Sequence, residues 1–440
     1  MSEHKKTSFS TNIGLIMAAA GSAVGLGNIW KFPYIAGENG GGAFLLVYLF
    51  CILIFGLPMV MTEFLIGKRS GKSAYSAFRT LVGSNKWQWL SWICMLTAVL
   101  IMGFYFVVTG WCFSYLAEAL GNVFYGMDAN SLAEHFAKVT SSKPRMLVFS
   151  IMPVIMTAAV LWFDVNKGIE RLSKILMPLL LLMMILMAGR VLMLDGSNIG
   201  MRFFFQADFS KINPRVVMEA MGQCFFSLSI GMGALITYGS YMPKGQNVTT
   251  TSIQVITLDT LVAILAGLII FPAVFAFGFN PSEGPELVFV VLPAILGQMS
   301  FSWFSGVLFF SLLCIAAVTS TISLMEVVVA FIGDASNGKV NRHKAVLIVT
   351  AIVTALIVLC LFFPVIFTVS DKITSCFMMP LGAFGMAVFV GWMLPRNGEK
   401  GVLAADKGIR HTFAHIFIFV LRWIVPAAII IIFLNSTGLI

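Results

Sequence analysis

Charged residues are scarce in this sequence. Only 11% of the 440 residues are charged and 59% are hydrophobic, whereas soluble domains carry about 25% charge. Apolar runs of about 20 residues follow one another with short polar loops between them, which predicts a polytopic membrane protein held in a lipid bilayer. The net charge of +9 does not indicate nucleic acid, because no basic run is long enough to form a binding tail.

Paired cysteines and histidine clusters are also missing. The seven cysteines lie in apolar stretches without a C-x-x-C pair, which favours small buried side chains over the alternative of a disulfide or metal site. His411 and His415 have helical i, i+4 spacing but no third ligand beside them. No P-loop, nucleophile elbow or dinucleotide-binding loop in its strand–helix context occurs. An enzyme, an organic cofactor and ATP-driven transport are therefore not expected.

Apolar segments long enough to cross a membrane number about eleven. We place them at 13–36, 42–67, 88–118, 146–163, 168–190, 215–241, 250–278, 303–333, 344–363, 370–394 and 412–434. The polar N-terminus shows no cleavable signal peptide. The loop 68–86 holds five basic residues and no acid, which predicts a cytoplasmic N-terminus and, with an odd number of spans, an outside C-terminus.

Two of these spans carry glycine-rich interruptions. Residues 18–33 read AAAGSAVGLGNIWKFP, and residues 221–241 read MGQCFFSLSIGMGALITYGSY. Glycine weakens a helix and proline interrupts one. Gly25-Leu26-Gly27 in the first span corresponds to Gly231-Met232-Gly233 in the sixth, 206 residues later. The repeat predicts two five-span halves followed by one extra span, and paired broken helices are typical of a transporter binding site.

The interruptions have a physical use. Unwinding a helix in hydrocarbon frees peptide groups, which is tolerated where protein or a polar cavity replaces their partners. Freed carbonyls can coordinate a hard cation, and freed N–H groups at a half-helix end can hold a carboxylate. One site could therefore bind a cation together with a carboxylated solute. The alternative is close helix packing through small residues such as Gly21 and Gly25.

Longer motifs resemble a known family. These are GSAVGLGNIWKFPYIAGENGGGAF at 21–44, FFSLSIGMGALITYGSY at 225–241, AAVTSTISLMEV at 316–327 and a Gly168-x9-Pro178 pattern in the fifth span. They resemble the neurotransmitter:sodium symporters, particularly bacterial amino-acid transporters, over essentially the whole chain. That family is itself a type example of inverted repeats with broken helices, so the architecture expected here rests partly on the resemblance.

The resemblance implies an all-α polytopic membrane protein of about eleven transmembrane helices. Two inverted five-helix repeats, with helices one and six broken, would be followed by one extra helix. The corresponding parts are a cytoplasmic gate segment at 1–12, the first repeat at 13–190, an extracellular connection at 191–214, the second repeat at 215–394, and a loop with the eleventh helix at 395–440.

Two sodium ions are the cofactors that the resemblance implies. The first site would use Ala23, Asn28, Ser227 and Asp259, and the second Gly21, Val24, Ala316, Thr319 and Ser320. The alternative for Thr319 and Ser320 is a hydroxyl that bonds back to its own helix. Asp259 stands where relatives often have Asn, and Ala263 stands where chloride-dependent relatives have Ser. A built-in carboxylate predicts that chloride is not required.

A zwitterionic amino acid is the substrate that the resemblance implies. It would be bound by Ala23, Gly25, Gly27, Ile101, Tyr105, Phe226, Ser227, Ser229, Met232, Ser323 and Leu324. Met232 replaces an aromatic residue of many relatives, and its flexible side chain favours large apolar substrates.

Gates on both sides of the substrate are implied as well. The outer gate would pair Lys31 with Asp371, and the inner gate would join Lys6 to Asp334 beside Phe9, Ser240 and Tyr241. Glu63 is expected to brace the broken first helix. Glu326 is left with two interpretations, a protonated side chain or a lining of the inner pathway.

The predicted function is sodium-coupled import of hydrophobic or aromatic L-amino acids by alternating access across the plasma membrane. One alternative is a proton-driven or sodium-independent carrier of the same architecture. Another is an amino-acid sensor that does not transport. The oligomeric state does not follow from the sequence.

Overall fold

The computed structural model describes residues 8–243, 245–282, 286–394 and 411–436, and all regular structure within these ranges is helical. The α-helices are α1 (Asn12–Ala23), α2 (Phe32–Glu38), α3 (Gly42–Cys51), α4 (Leu57–Ser70), α5 (Ala74–Val82), α6 (Gln88–Leu120), α7 (Ala129–Ser141), α8 (Lys143–Trp162), α9 (Arg171–Leu192), α10 (Ser197–Phe205), α11 (Pro214–Ser227), α12 (Ala234–Ser240), α13 (Val248–Ala276), α14 (Leu292–Gln298), α15 (Ser302–Ala335), α16 (Arg342–Phe362), α17 (Pro364–Ile373), α18 (Met379–Val388), α19 (His411–Phe419) and α20 (Val425–Ser436).

The predicted spans correspond to helices of membrane-crossing length. Within the described ranges nine apolar helices qualify, together with a pair bent by 48° that joins Asn12–Ala23 to Gly27–Glu38. The remaining predicted span, the sixth, consists of α11 and α12 with residues 228–233 between them. The tenth begins at Pro364 rather than at residue 370. The all-helical fold with broken first and sixth spans is therefore confirmed.

Short helices between the spans were not predicted. α7, α10 and α14 lie in connections that sequence analysis treated as loops. α7 and α10 are amphipathic, and each buries only two or three residues, so neither has the continuous apolar run by which spans were recognised.

The first break follows from its residues. α1 ends at Ala23, and Val24 is extended, with φ −70° and ψ 108°. The chain then forms a single π-helical turn, Gly27–Lys31, and re-enters an α-helix that carries Pro33 in its first turn. Proline is tolerated there because its missing N–H would have no partner within the helix.

The second break is more strained. Ser229, Gly231 and Gly233 all have positive φ, at 55°, 94° and 76°. Glycine adopts this region without cost, whereas serine does so uncommonly. A Cβ at Gly231 would also overlap the backbone carbonyl of Met379. This segment can therefore turn sharply while touching the neighbouring helix.

The helices divide into a central and a peripheral set. In the most apolar window of the span Ser302–Ala335, 83% of residues are buried within the protein, against 33% for Arg342–Phe362. A helix that is apolar all round is buried in protein or faces lipid. α15 belongs to the centre, beside the broken first span, and α16 belongs to the rim.

Candidate substrate and cation sites

The two broken spans meet at their interruptions. The hydroxyl of Ser229 donates to the carbonyl oxygen of Ser22 at 2.9 Å, and the Gln223 amide donates to the carbonyl oxygen of Gly27 at 2.8 Å. A Cβ at Gly27 would lie 3.1 Å from the Phe226 ring. Both interruptions thus present their backbone to one enclosed region.

A small cavity of about 30 Å³ lies in this region. Its lining is Ser22, Ala23, Gly25, Gly27, Ile101, Tyr105, Phe226, Ser229, Met232, Ser320, Ser323 and Leu324. Ten of the eleven residues predicted to bind substrate are among them, and the eleventh, Ser227, lies in a neighbouring polar cluster. Ser22 was not predicted, although its place between two residues of the glycine motif was the available signal.

Tyr105 approaches the first break directly. The backbone N–H of Leu26 donates to its hydroxyl oxygen at 3.1 Å. A Cβ at Gly25 would lie 2.8 Å from that oxygen and would overlap the Ser320 hydroxyl. Glycine at position 25 is therefore what allows both hydroxyls to reach the broken backbone.

The residues predicted for the first cation site form a buried cluster. The Asn28 side-chain NH₂ donates to Asp259 Oδ1 at 2.7 Å and to Ser227 Oγ at 3.0 Å. Ser227 Oγ also lies 2.9 Å from both Asp259 oxygens. Ala23, the fourth predicted residue, lines the adjacent cavity. The Tyr48 hydroxyl donates to Ser227 Oγ at 3.3 Å, a contact that sequence analysis missed because Tyr48 stands alone in an apolar span.

The residues predicted for the second cation site also lie together, between α1 and α15. Ser320 Oγ is 3.3 Å from the Val24 carbonyl oxygen and 3.5 Å from that of Gly21. The Thr319 hydroxyl donates within its own helix, to Ala316 at 2.9 Å, and its Cβ lies close to Gly21. Only Thr319 therefore follows the alternative of bonding back to its helix, and Ser320 reaches across to the first break.

The predicted outer gate differs from expectation. Lys31 and Asp371 line one cavity, which we call the upper cavity, but the ion pairs within 4.0 Å in the described ranges do not include them. Instead, the Lys31 ammonium lies 4.1 Å from the centre of the Phe226 ring. Lysine is a compact charge on a flexible stem, so it can leave a carboxylate for an aromatic face. Tyr105 and Phe226 line both cavities and separate them.

Part of the predicted inner gate can be located. Lys6 lies outside the described residues. The Phe9 N–H donates to the Tyr241 carbonyl at 3.0 Å, and the two rings meet edge to face. Asp334 accepts from the backbone N–H and the hydroxyl of Ser73, at 2.9 and 2.7 Å, in a cavity that Ser240 and Tyr241 also line.

Glu326 has a cationic partner that sequence analysis missed. Arg342 donates to both of its oxygens, at 3.0 and 2.7 Å, and the Tyr241 hydroxyl donates to one of them at 2.8 Å. Two parallel N–H···O bonds from a guanidinium are the geometry of an ionised carboxylate. Of the two interpretations, a protonated Glu326 does not fit this geometry.

Glu63 braces the second break rather than the first. Its Oε1 accepts from the backbone N–H of Gly231 at 2.8 Å. The expectation for the first helix is therefore wrong. The physical reason is that α4, which carries Glu63, packs along α12 and the break before it. In that break Gly231 has a left-handed conformation, so its N–H has left the helix and needs an outside partner.

The whole chain is similar to known transporters. The sequence profile described as the sodium:neurotransmitter symporter family matches residues 6–130 and 121–437. An uncharacterized sodium-dependent transporter of Bacillus subtilis, YhdH, is 35% identical, over 100% of this chain and 99% of the relative. A similar one from Haemophilus influenzae is 32% identical, over 98% of each. The crystal structure of MhsT in complex with L-phenylalanine is 38% identical and superposes with a TM-score of 0.89, over 98% of this chain and 99% of that one.

Proposed function

Because the chain belongs to the sodium:neurotransmitter symporter family, whose members are sodium-coupled transporters and not enzymes, we propose that it imports hydrophobic or aromatic L-amino acids. The observation that carries the proposal is the meeting of two broken helices at a cavity with an oxygen-rich cluster on either side. Sodium moving down its gradient would drive the amino acid inward.

The substrate class is supported by the cavity lining. Backbone N–H groups and hydroxyls lie at the first break, and Ile101, Phe226, Met232 and Leu324 supply apolar surface. The cavity is small, at about 30 Å³, and Met232 can adjust its shape to a substrate because its unbranched side chain has several rotatable bonds. The likeness to MhsT, solved with L-phenylalanine, supports the same class.

Sodium at two sites is supported by the chemistry of the donors. Carboxylate, hydroxyl, amide and carbonyl oxygens are hard ligands, and both clusters contain them. At the first cluster Asn28 directs its NH₂ toward Asp259. An NH₂ group and a cation compete for that carboxylate, so the Asn28 amide must turn to bind a cation through its oxygen. Asp259 would supply there the negative charge that makes chloride unnecessary.

Alternating access is supported by barriers on both sides of the cavity. Tyr105 and Phe226 separate it from the upper cavity, and Phe9 packs on Tyr241 on the other side. The second cation site joins α1 to α15 through Ser320. The span with Gly168 and Pro178 would admit water to the ion at this site. Departure of the ion would then free α1 to move.

Orientation and location complete the proposal. The family consists of multi-pass membrane proteins, and the basic loop 68–86 favours a cytoplasmic N-terminus. With eleven spans the C-terminus lies outside the plasma membrane.

Binding of radiolabelled phenylalanine and tryptophan to the purified protein tests the proposal. We expect saturable binding that requires sodium rather than choline and is unchanged when gluconate replaces chloride. Ser320→Ala should raise the sodium concentration for half-maximal binding several-fold. Ser336→Ala is the matched control, because that hydroxyl, just after the end of the same helix, donates to Gly333 and accepts from Val340, both within its own segment.

Other outcomes separate the alternatives. Equal binding in choline would overturn sodium coupling in favour of a sodium-independent or proton-driven carrier. Loss of binding in gluconate would overturn the role given to Asp259. Sodium-dependent binding without uptake into proteoliposomes under a sodium gradient would identify a sensor.

A further inference from the structure

Glu170 makes contacts that the proposed mechanism has not used. Its carboxylate accepts four hydrogen bonds: from the backbone N–H and hydroxyl of Ser10 at 2.7 and 2.6 Å, from the Thr11 hydroxyl at 2.8 Å, and from the Lys174 ammonium at 2.6 Å. The Glu170 side chain is only 1% exposed. Such charge-assisted bonds are about twice as strong as neutral ones, so the contact is a firm link between residues 160 positions apart.

The two sides of this link belong to different spans. Glu170 ends a π-helical turn, Asn166–Glu170, at the start of the fifth span. Gly168 in that turn lies so close to the preceding span that a Cβ would overlap the Val160 carbonyl. Single π-helical turns within α-helices are frequently found at functional sites, and this one lies within the motif segment of the fifth span. Glu170 is therefore fixed to the segment that carries the Gly168-x9-Pro178 pattern.

Ser10 and Thr11 lie immediately before the first half-helix, α1. Thr11 caps α1 by accepting from the Gly14 N–H at 3.1 Å, while its hydroxyl donates to Glu170. Gly14 lies directly on the Glu170 side chain, where a Cβ would overlap it. The carboxylate also stands at the positive end of the α1 dipole. The opposite end of α1 carries Gly21 and Val24, whose carbonyls face Ser320.

We propose that Glu170 couples the fifth span to the first half-helix, so that rewinding at Asn166–Glu170 withdraws the carboxylate and releases α1 together with its cation-binding carbonyls. Glu170 is a positioning residue and does not touch the cation. The inference rests on the proposed function for the cation itself, whereas the link between α1 and the fifth span stands on geometry alone.

Hydrogen exchange on the purified protein tests the link. Glu170→Gln, measured in sodium and in choline, should speed amide exchange in residues 8–23 about tenfold in both media. In sodium it should also raise the sodium concentration for half-maximal phenylalanine binding several-fold, with affinity at saturating sodium within about twofold. Ser10→Ala, which keeps the backbone donor, should act in the same direction and less. Glu134→Gln, at an exposed carboxylate of α7, is the control.

Three results would decide against the link or separate it from the function. Unchanged exchange in residues 8–23 in both media would overturn the coupling. Faster exchange that spreads equally to α16 would indicate a merely structural role and overturn it too. If wild-type exchange and binding ignore sodium while Glu170→Gln still loosens residues 8–23, the link stands and the proposed sodium coupling fails.

Discussion

The contacts found at the two predicted gates differ in kind. On the inner side, the Tyr241 carbonyl accepts from Phe9 and the Tyr241 hydroxyl donates to Glu326, which Arg342 holds through two hydrogen bonds. On the outer side, the lysine lies over an aromatic ring rather than against Asp371. Of the two predicted gates, the one at Tyr241 is therefore the one held by directed, charge-assisted hydrogen bonds.

If these residues act as gates, this difference predicts unequal resistance to opening. Buried hydrogen bonds to charges cost the most when one partner is left unpaired. The Phe226 ring, by contrast, can turn aside and leave the Lys31 ammonium to water without leaving a buried charge unpaired. The outer gate should therefore open at lower cost than the inner one, and substitutions on the two sides should differ in size.

Arg342→Ala should have the largest effect. It leaves Glu326, which has no exposed surface, as a buried carboxylate without its cation, and losing one partner of a buried pair costs roughly 3–5 kcal/mol. We expect a clearly lowered apparent melting temperature in sodium and loss of uptake into proteoliposomes. Thermal unfolding followed by fluorescence measures the first effect.

The double variant Arg342→Ala/Glu326→Gln sharpens that experiment. A neutral amide keeps an acceptor for the Tyr241 hydroxyl and removes the unpaired charge, so most of the lost stability should return. If the single variant unfolds like the wild type, the inner gate does not depend on this pair and the contrast between the gates is lost.

The breaks and the cavity could be predicted because their signals are local. Glycine spacing, a proline at the start of α2 and hydroxyls at fixed positions on α15 are readable along one segment, and the resemblance joined those segments into a site. Tyr48 was missed because it belongs to no pattern within its own segment that separates it from an ordinary apolar span. Ser22 was missed although it lies inside the glycine motif, because roles were assigned to its neighbours Gly21 and Ala23 and not to Ser22 itself.

Partner choice across the fold could not be predicted in the same way. Glu63 was assigned to the wrong break, and Glu170 and Glu326 had no partners until the helices were packed. Each of these carboxylates bonds to a residue at least 16 positions away. Helical periodicity fixes which face a side chain occupies, but the group that meets that face depends on how the helices pack. For Lys31 the flexible side chain adds a further difficulty, because the sequence does not determine which group its ammonium contacts.

Phe226→Leu should have an intermediate effect. It removes the ring beneath the Lys31 ammonium, which is also one of the two side chains that separate the cavities. A cation–π contact is worth about 0.5–1 kcal/mol at a partly exposed site. Bound phenylalanine should dissociate roughly 2–5 times faster, as measured by dilution into unlabelled substrate. Phe104→Leu is the control, because Phe104 lines the upper cavity but not the cavity between the two broken spans. Equal acceleration by both variants would remove the special role of Phe226.

Lys31→Arg should have the smallest effect, and it tests whether the outer gate can be made more like the inner one. A guanidinium can pair with Asp371 through two hydrogen bonds, whereas an ammonium cannot. Exposed ion pairs are worth about 0.2–1 kcal/mol, so phenylalanine dissociation should slow by less than about fivefold. The same change in an Asp371→Asn background should have no such effect. If phenylalanine dissociation is still slowed there, the arginine acts on the Phe226 ring, and that ring rather than an ion pair sets the resistance of the outer gate.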